Sequence, residues 1–339
     1  MNQRTHAWIA VRTIALLEDS GSNDNLVKLL KPHAGKAAIG AWIPDLQDAK
    51  RGGGKTENHI FKTGPYKGPA VLRDRFVTEK ADMLNRLGKA RLMHGYLDAD
   101  TSLKTAWWEK PYKGDVTKPG QHLANRAMAM SVMMQDLLIM GDSTVDNLLP
   151  GSVSFAKDID KNARTQEEQV ALYFFMLSHF VADACMPCHC DARKLAGYSR
   201  GLHNKLESEW STLVGAKFDK AKLLPASLSV SANQILQNAR DVDAKFDQLS
   251  FAKAVPNLVA GDVWLEVIYI CRGSFAVASI IAPPGTYGYG DDKARAPFKD
   301  VFTNAQSQKF LDMSKMVMHD AVLNNAIIWR HIWTKASKT

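Results

Sequence analysis

Residues 179–190 read HFVADACMPCHC, and residues 201–210 read GLHNKLESEW. Apolar residues recur at helical spacing from Gln166 to Cys185, which predicts a helix running into the first segment. His179 and Asp183 stand four residues apart on it, so they lie one above the other on one face. His189 follows just past Pro187, and His203 and Glu207 make a second four-residue pair on a predicted helix from Leu202 to Leu213. Two helices that each offer an imidazole and a carboxylate on one face, with a histidine between them, form a pattern of metal ligands. Imidazole nitrogen and carboxylate oxygen suit zinc, and mixed sets with open positions suit hydrolytic zinc. A single histidine is usually a surface or hydrogen-bonded core residue. Two further histidines and two acids at these fixed offsets arise by chance only about once in 10⁴.

The helical pattern extends outward in both directions. Towards the N-terminus it predicts helices over His6 to Leu17, Asn25 to Leu30, Leu72 to Tyr96 and Gln121 to Met140. Towards the C-terminus it predicts Ala232 to Arg240, Asn257 to Ala282 and Asn304 to Trp333. Met128, Met130, Met133, Met134 and Met140 fall at helical spacing and read as core. No alternating apolar run and no Asn-Gly hairpin is present, so the expected fold class is all-α. Loops are expected at 49–68, 109–120, 141–164 and 283–298. None is a low-complexity linker and no repeat is visible, so 1–339 reads as a single helical domain.

Hydrophobic residues make up 46% and charged residues 23% of the 339, a balance that excludes a disordered or collagen-like chain. Lysine and arginine outnumber the acids by 43 to 35, and the resulting +8 suits an anionic partner without choosing among phosphate esters, nucleic acid and acidic membrane. Four cysteines are too few for a disulfide scaffold. His6, Arg12, Glu18 and Asp19 break up the first twenty residues, so no cleaved leader is expected. Asp262, Glu266 and Arg272 interrupt the most apolar stretch, 254–282, so no membrane span is expected. The location left open is the cytoplasm or export by a route that needs no signal.

The arrangement resembles the zinc-dependent phospholipase C and P1/S1 nuclease superfamily, an all-helical fold that binds three zinc ions in a cleft. His179, Asp183, Pro187, His189, His203 and Glu207 match its pattern position by position. Upstream the family has an aspartate and a histidine about 14 residues apart. GAWIPDLQDAKRGGGKTENHIFK supplies Asp45 and His59, with Asp48 as the competing carboxylate. His6 matches a histidine of the family's first helix. The family also uses the amino group and carbonyl of residue 1, usually a tryptophan. Met1 takes that place here, five residues before His6, and it departs from the pattern in type.

The resemblance implies up to three zinc ions. Asp45, His59, His179 and Asp183 would hold one. Asp183 would bridge to a second, held by His6 and Met1. His189, His203 and Glu207 would hold the third. A carboxylate shared by two cations offsets their repulsion, and water between them ionises near neutral pH. Asp183 and Asp45 are the expected catalytic carboxylates, Asp45 by orienting or deprotonating the attacking water. The implied activity is phosphodiester hydrolysis. Glu207 and the 14-residue gap from His189 to His203 lie closer to the phospholipase C branch, with single-strand nuclease or nucleotidase as the alternative and an inactive metal-binding relative as a third. A phospholipid at a membrane surface is then the expected substrate partner and nucleic acid the alternative, and there is room for an inhibitor or immunity partner.

Other features compete for attention. CMPCH at 185–189 matches a c-type haem attachment motif, but the metal pattern already uses His189. Cys185, Cys188 and Cys190 read as small buried thiols, with a zinc knuckle as the alternative. GGGKT at 52–56 lacks the first glycine and the strand of a phosphate loop, and reads as a basic loop with Arg51 and Lys55 exposed. Trp107, Trp108, Tyr112, Tyr287 and Tyr289 are candidates for stacking a base or caging a head group, with packing as the plainer role. His33, His94, His122, His319 and His331 have no partner spacing.

Overall fold

The computed structural model describes residues 1–21, 24–50, 59, 80–99, 122–149, 164–191, 203–226, 230–246, 254–258, 261–281 and 304–337. Every regular element among them is helical, and the nearest thing to a strand is one isolated bridge between Gly141 and Thr165. In chain order the α-helices are α1 (Gln3–Ser20), α2 (Asn25–Leu30), α3 (Ala37–Gly40), α4 (Ile43–Lys50) and α5 (Lys80–Leu87). Next come α6 (Leu92–Ala99), α7 (Leu123–Ile139), α8 (Ser143–Leu148), α9 (Glu167–Cys185) and α10 (Pro187–Cys190). The last are α11 (His203–Val214), α12 (Lys220–Ala226), α13 (Ala232–Arg240), α14 (Val263–Ile281) and α15 (Asn304–Ala336).

The helix α9 is the axis of the arrangement. It packs against α1, α7, α14 and α15, and its second half is buried without a break from Phe174 to Cys185. A helix that is apolar all round is one surrounded by others. Phe174 and Phe175 meet Trp329 of α15 with ring centres 5.5 and 6.2 Å apart. Trp8 of α1 ties the N-terminal helix to α13 by donating to the Ala239 carbonyl at 3.1 Å. The buried apolar residues form one cluster that reaches from Met1 to Ala336.

Four expectations need correction. The predicted helix from Leu72 to Tyr96 is two helices where it is described, because Gly88, at a φ of 73°, ends α5 before α6 begins. The predicted helix from Asn257 starts at Val263 instead: Gly261 has a φ of 93°, and Asp262 accepts from the Leu265 N–H at 2.8 Å as the cap. The loop expected at 141–164 contains α8, started by Asp142, whose carboxylate accepts from Thr144 and Val145 N–H groups at 2.9 and 3.1 Å. Of the methionine stripe, Met130 and Met134 are buried, whereas Met133 and Met140 are 36% and 38% exposed, so the core reading fails for those two. The aromatic candidates at 107, 108, 112, 287 and 289 and the GGGKT loop lie outside the described residues.

A polar knot joins α6, α14 and α15. Arg91 pairs with Glu266 and donates to Asn324 Oδ1 at 2.6 Å, and all three residues are buried. Asp320 accepts from the N–H groups of Leu92 and Met93 at 2.9 and 2.8 Å, so a carboxylate from α15 caps the start of α6. Removing Arg91 would take from the buried Glu266 carboxylate the guanidinium that pairs with it. Arg91→Ala is expected to cost about 3–5 kcal/mol in urea unfolding, whereas Lys36→Ala, which breaks an exposed pair with Glu168, is expected to cost about 1 kcal/mol or less. Equal costs for the two would contradict this account of the knot.

Candidate metal centre

Within the buried half of α9, His179 and Asp183 share a face, as four-residue spacing requires. His179 Nδ1 lies 2.7 Å from the Ala41 carbonyl oxygen. A carbonyl only accepts, so Nδ1 carries the proton and Nε2 turns its lone pair towards Asp183. The approach of Ala41 depends on its neighbour: a Cβ built on Gly40 would fall 2.6 Å from the Phe175 Cβ. The spacing of histidines and acids gave no hint of this backbone contact; Gly40, just ahead of the Trp42–Asp45 segment, was the only signal.

Around His179 Nε2 the donor atoms lie at the separations that a bound metal requires. His59 Nδ1 is 2.9 Å from both His179 Nε2 and Asp183 Oδ2, and His179 Nε2 is 3.2 Å from Asp183 Oδ2. Asp45 Oδ1 is 3.5 Å from His179 Nε2 and 3.9 Å from His59 Nδ1. Four donors at tetrahedral positions 2.0–2.1 Å from one ion are roughly 3.3 Å apart. These five separations bracket that value.

The other oxygen of Asp183 faces two more elements. Oδ1 lies 3.3 Å from the Met1 amine, 3.7 Å from His6 Nε2 and 3.4 Å from His189 Nδ1. On the far side of His189, its Nε2 is 3.2 Å from His203 Nε2, which is 2.9 Å from Glu207 Oε1. The Met1 amine is also 3.1 Å from Glu207 Oε1, which links this last group to the first two. Met1, His6, Asp45, His59, His179, Asp183, His189, His203 and Glu207 are thus joined by a continuous series of close contacts. His6 also stacks on His179, with ring centres 3.9 Å apart, and its donor groups with Asp45 and His179 as well as near the terminus.

Charge follows from burial and from these neighbours. Burial would raise the Asp183 carboxyl, but the Met1 amine, His179 and His189 outweigh it and hold it well below the usual range. Burial, aided by His179 and the amine, pushes His6 well below an ordinary imidazole, and burial does the same to His189 against the pull of Asp183. Burial raises Asp45, with Asp183 adding to the shift and His179 opposing it. Glu207 falls to about 2 because His203 and the amine overcome its burial. Burial opposes the charge on the Met1 amine, yet Asp183, Glu207 and Asp45 raise it to about 10. The result is ionised Asp183 and Glu207 and neutral His6 and His189 around one ammonium.

Such a donor set fits a metal ion. Neutral imidazoles present lone pairs, and carboxylates neutralise the cation. Both ring nitrogens of His6 and Nδ1 of His189 are buried without a hydrogen bond among the described residues, and ligation through one nitrogen of His6 would relieve part of that cost. Three groups have donor atoms within 4.8 Å of one another: His6, Asp45 and His179; His59, His179 and Asp183; and His189, His203 and Glu207. No cysteine belongs to a group among the described residues, and all four cysteines are buried and in no disulfide. Of the histidines without partner spacing, His33 lies 3.6 Å from Glu167, His122 caps α7, and His319 Nδ1 lies 3.1 Å from Asp320. Among the described residues, no helix is long and apolar enough to cross a membrane.

Two outcomes are expected. Gly40→Ala should weaken metal binding about 10–100-fold in a chelator competition, because it displaces the carbonyl that orients His179; unchanged affinity would contradict that role. In metal-free protein beginning at Met1, the raised amine contributes stability that is fully present below about pH 8 and lost as pH rises through about 10. An added residue before Met1 should remove this contribution, and the same urea midpoint for both chains at pH 7 would contradict it. No family model, no curated protein and no solved structure matches this chain.

Proposed function

We propose that this chain is a zinc-dependent phosphodiesterase with the architecture of the zinc-dependent phospholipases C and P1/S1 nucleases, and that it hydrolyses the glycerol-side phosphoester of phospholipids. The observation that carries the reading is the set of five donor separations around His179 and Asp183, from 2.9 to 3.9 Å, with a second and a third group reached through the same carboxylate and the Met1 amine. Four closed ligands suffice for a structural zinc ion. Nine donor residues linked through Asp183 are more than that role needs. Mixed nitrogen and oxygen donors with no thiolate favour zinc in a hydrolytic setting.

In this reading His59, His179, Asp45 and Asp183 hold one ion, and Asp183 reaches a second beside His6 and Met1. His189, His203 and Glu207 hold a third. Zinc supplies Lewis-acid polarisation of a phosphoryl oxygen and acidifies water. The protein's own groups then divide the work by exposure. His6, His179 and Asp183 are sealed, so they fix geometry. Asp45, His203 and Glu207 are a quarter to a third exposed and mark the side from which substrate enters. On that side Asp45, raised by burial, is the carboxylate placed to orient a water and accept its proton. Glu207, held to about 2, stays ionised and serves only as a ligand. The preference for lipid over nucleic acid rests on Glu207 and the 14-residue gap from His189 to His203.

A hydrolysis panel tests the reading. Zinc-replete protein is assayed on phosphatidylcholine and phosphatidylethanolamine vesicles, single-stranded DNA and RNA, with Asp183→Ala as the blank. Release of diacylglycerol with nucleic acid intact is expected, and Asp183→Ala or His179→Ala should fall below about 1% of wild type. Cleavage of nucleic acid with lipid intact would replace the lipid substrate by the nuclease one. Zinc bound with nothing cleaved, or full activity in both variants, would overturn the catalytic reading.

A further inference from the structure

The face of α9 that bears the metal donors does not begin at His179. Gln169, Leu172, Tyr173 and Met176 lie on it at three- and four-residue steps, and the same steps lead on to His179, Phe180 and Asp183. The first four line a groove of about 600 Å³ together with Ile43 and Gln47 of α4, the helix that carries Asp45. Met176 is one turn from His179, about 4.5 Å along the axis.

The third wall is α7, which runs antiparallel to α9. At one end the Thr165 N–H donates to the Met140 carbonyl at 3.0 Å. At the other, the Arg126 guanidinium lies 5.7 Å from the centre of the Phe180 ring. That ring is 5.4 Å from His59 and 5.6 Å from His179. Arg126 therefore stands at the end of the groove that adjoins the donors, and it makes no ion pair with a carboxylate among the described residues. Met130, Met133 and Leu137 follow it along the α7 wall. Among these lining residues Met133 is 36% exposed.

We propose that this groove binds the apolar chain of a lipid phosphoester, with Arg126 holding an anionic oxygen of the same molecule at the inner end. Charge complementarity selects the occupant: the described walls are mostly apolar, with Gln47, Gln169 and Thr165 as uncharged polar residues, and Arg126 is the one charged side chain among the described lining residues, at the end nearest the donors. A guanidinium suits phosphate oxygens because its N–H groups form a fork that matches them. The volume lies within the roughly 300–1,000 Å³ of small-molecule sites. The flexible thioethers of Met130, Met133 and Met176 adapt to a mobile chain. The direction of the ligand, with its phosphate towards His179, rests on the phosphodiesterase reading; occupancy of the groove does not.

The test is calorimetric titration of zinc-loaded protein with butyl phosphate and with dodecyl phosphate below its micelle-forming concentration. Dodecyl phosphate is expected to bind at least about tenfold tighter, the gain from burying a few methylene groups. Met133→Glu, at an already exposed position, should erase that advantage, and Arg126→Met should weaken dodecyl phosphate by about tenfold or more. Equal affinities for the two phosphates, or a chain-length advantage that survives Met133→Glu, would overturn the proposal. So would light scattering that shows a wild-type dimer converted to monomer by Met133→Glu, since a second copy would then be the occupant. Because the titration needs no turnover, it can succeed where the hydrolysis panel fails, and the reverse.

Discussion

A carboxylate at 1% exposure must be met by cations or donors, or it would not stay ionised. Asp183 is that carboxylate, and much of the described structure is arranged to meet it. The start of the chain brings the Met1 amine and His6, α9 brings His179, the turn at Pro187 brings His189, and His59 arrives from the segment after α4. These groups come from positions separated by as much as 182 residues in sequence. Packing α1 against α9 is therefore inseparable from bringing the donors together, and Gly40 lets α3 close against Phe175 beside His179. The Met1 ammonium lies between Asp183 and Glu207, 3.3 and 3.1 Å from their oxygens. A metal ion held by that amine would have to displace its proton, which would link affinity to pH.

Much of this was legible in the residues. Four-residue pairs on apolar helices fixed which faces carry His179 with Asp183 and His203 with Glu207, because helical periodicity leaves no other choice. The bounds of α2 and α13 were also readable, since capping residues and apolar runs agree there. The failures have specific physical causes. Gly88 and Gly261 take left-handed conformations that end or delay a helix, although the apolar pattern runs straight through both. Short α8 depends on one side chain, Asp142, accepting two backbone N–H groups, a signal too local for periodicity to register.

Contacts between side chains and distant backbone were least accessible. Nothing in the spacing says that the Ala41 carbonyl orients His179, or that His6 stacks on the same ring. The exposure of Met133 and Met140 was missed for a related reason: a stripe at helical spacing says that a face is apolar, not what covers it. Here that face borders a groove that leads to the donors, and its inner end carries Arg126. The groove and the His179–Asp183 donors lie along one helix face of α9.

The central claim is that Asp183 is shared between metal centres. Elemental analysis of zinc-loaded, desalted protein tests it most directly. Two or three zinc ions per chain are expected in the wild type, with more than one lost in Asp183→Asn, since that carboxylate serves two centres. One ion or fewer in the wild type, or loss of a single ion in Asp183→Asn, would contradict the account.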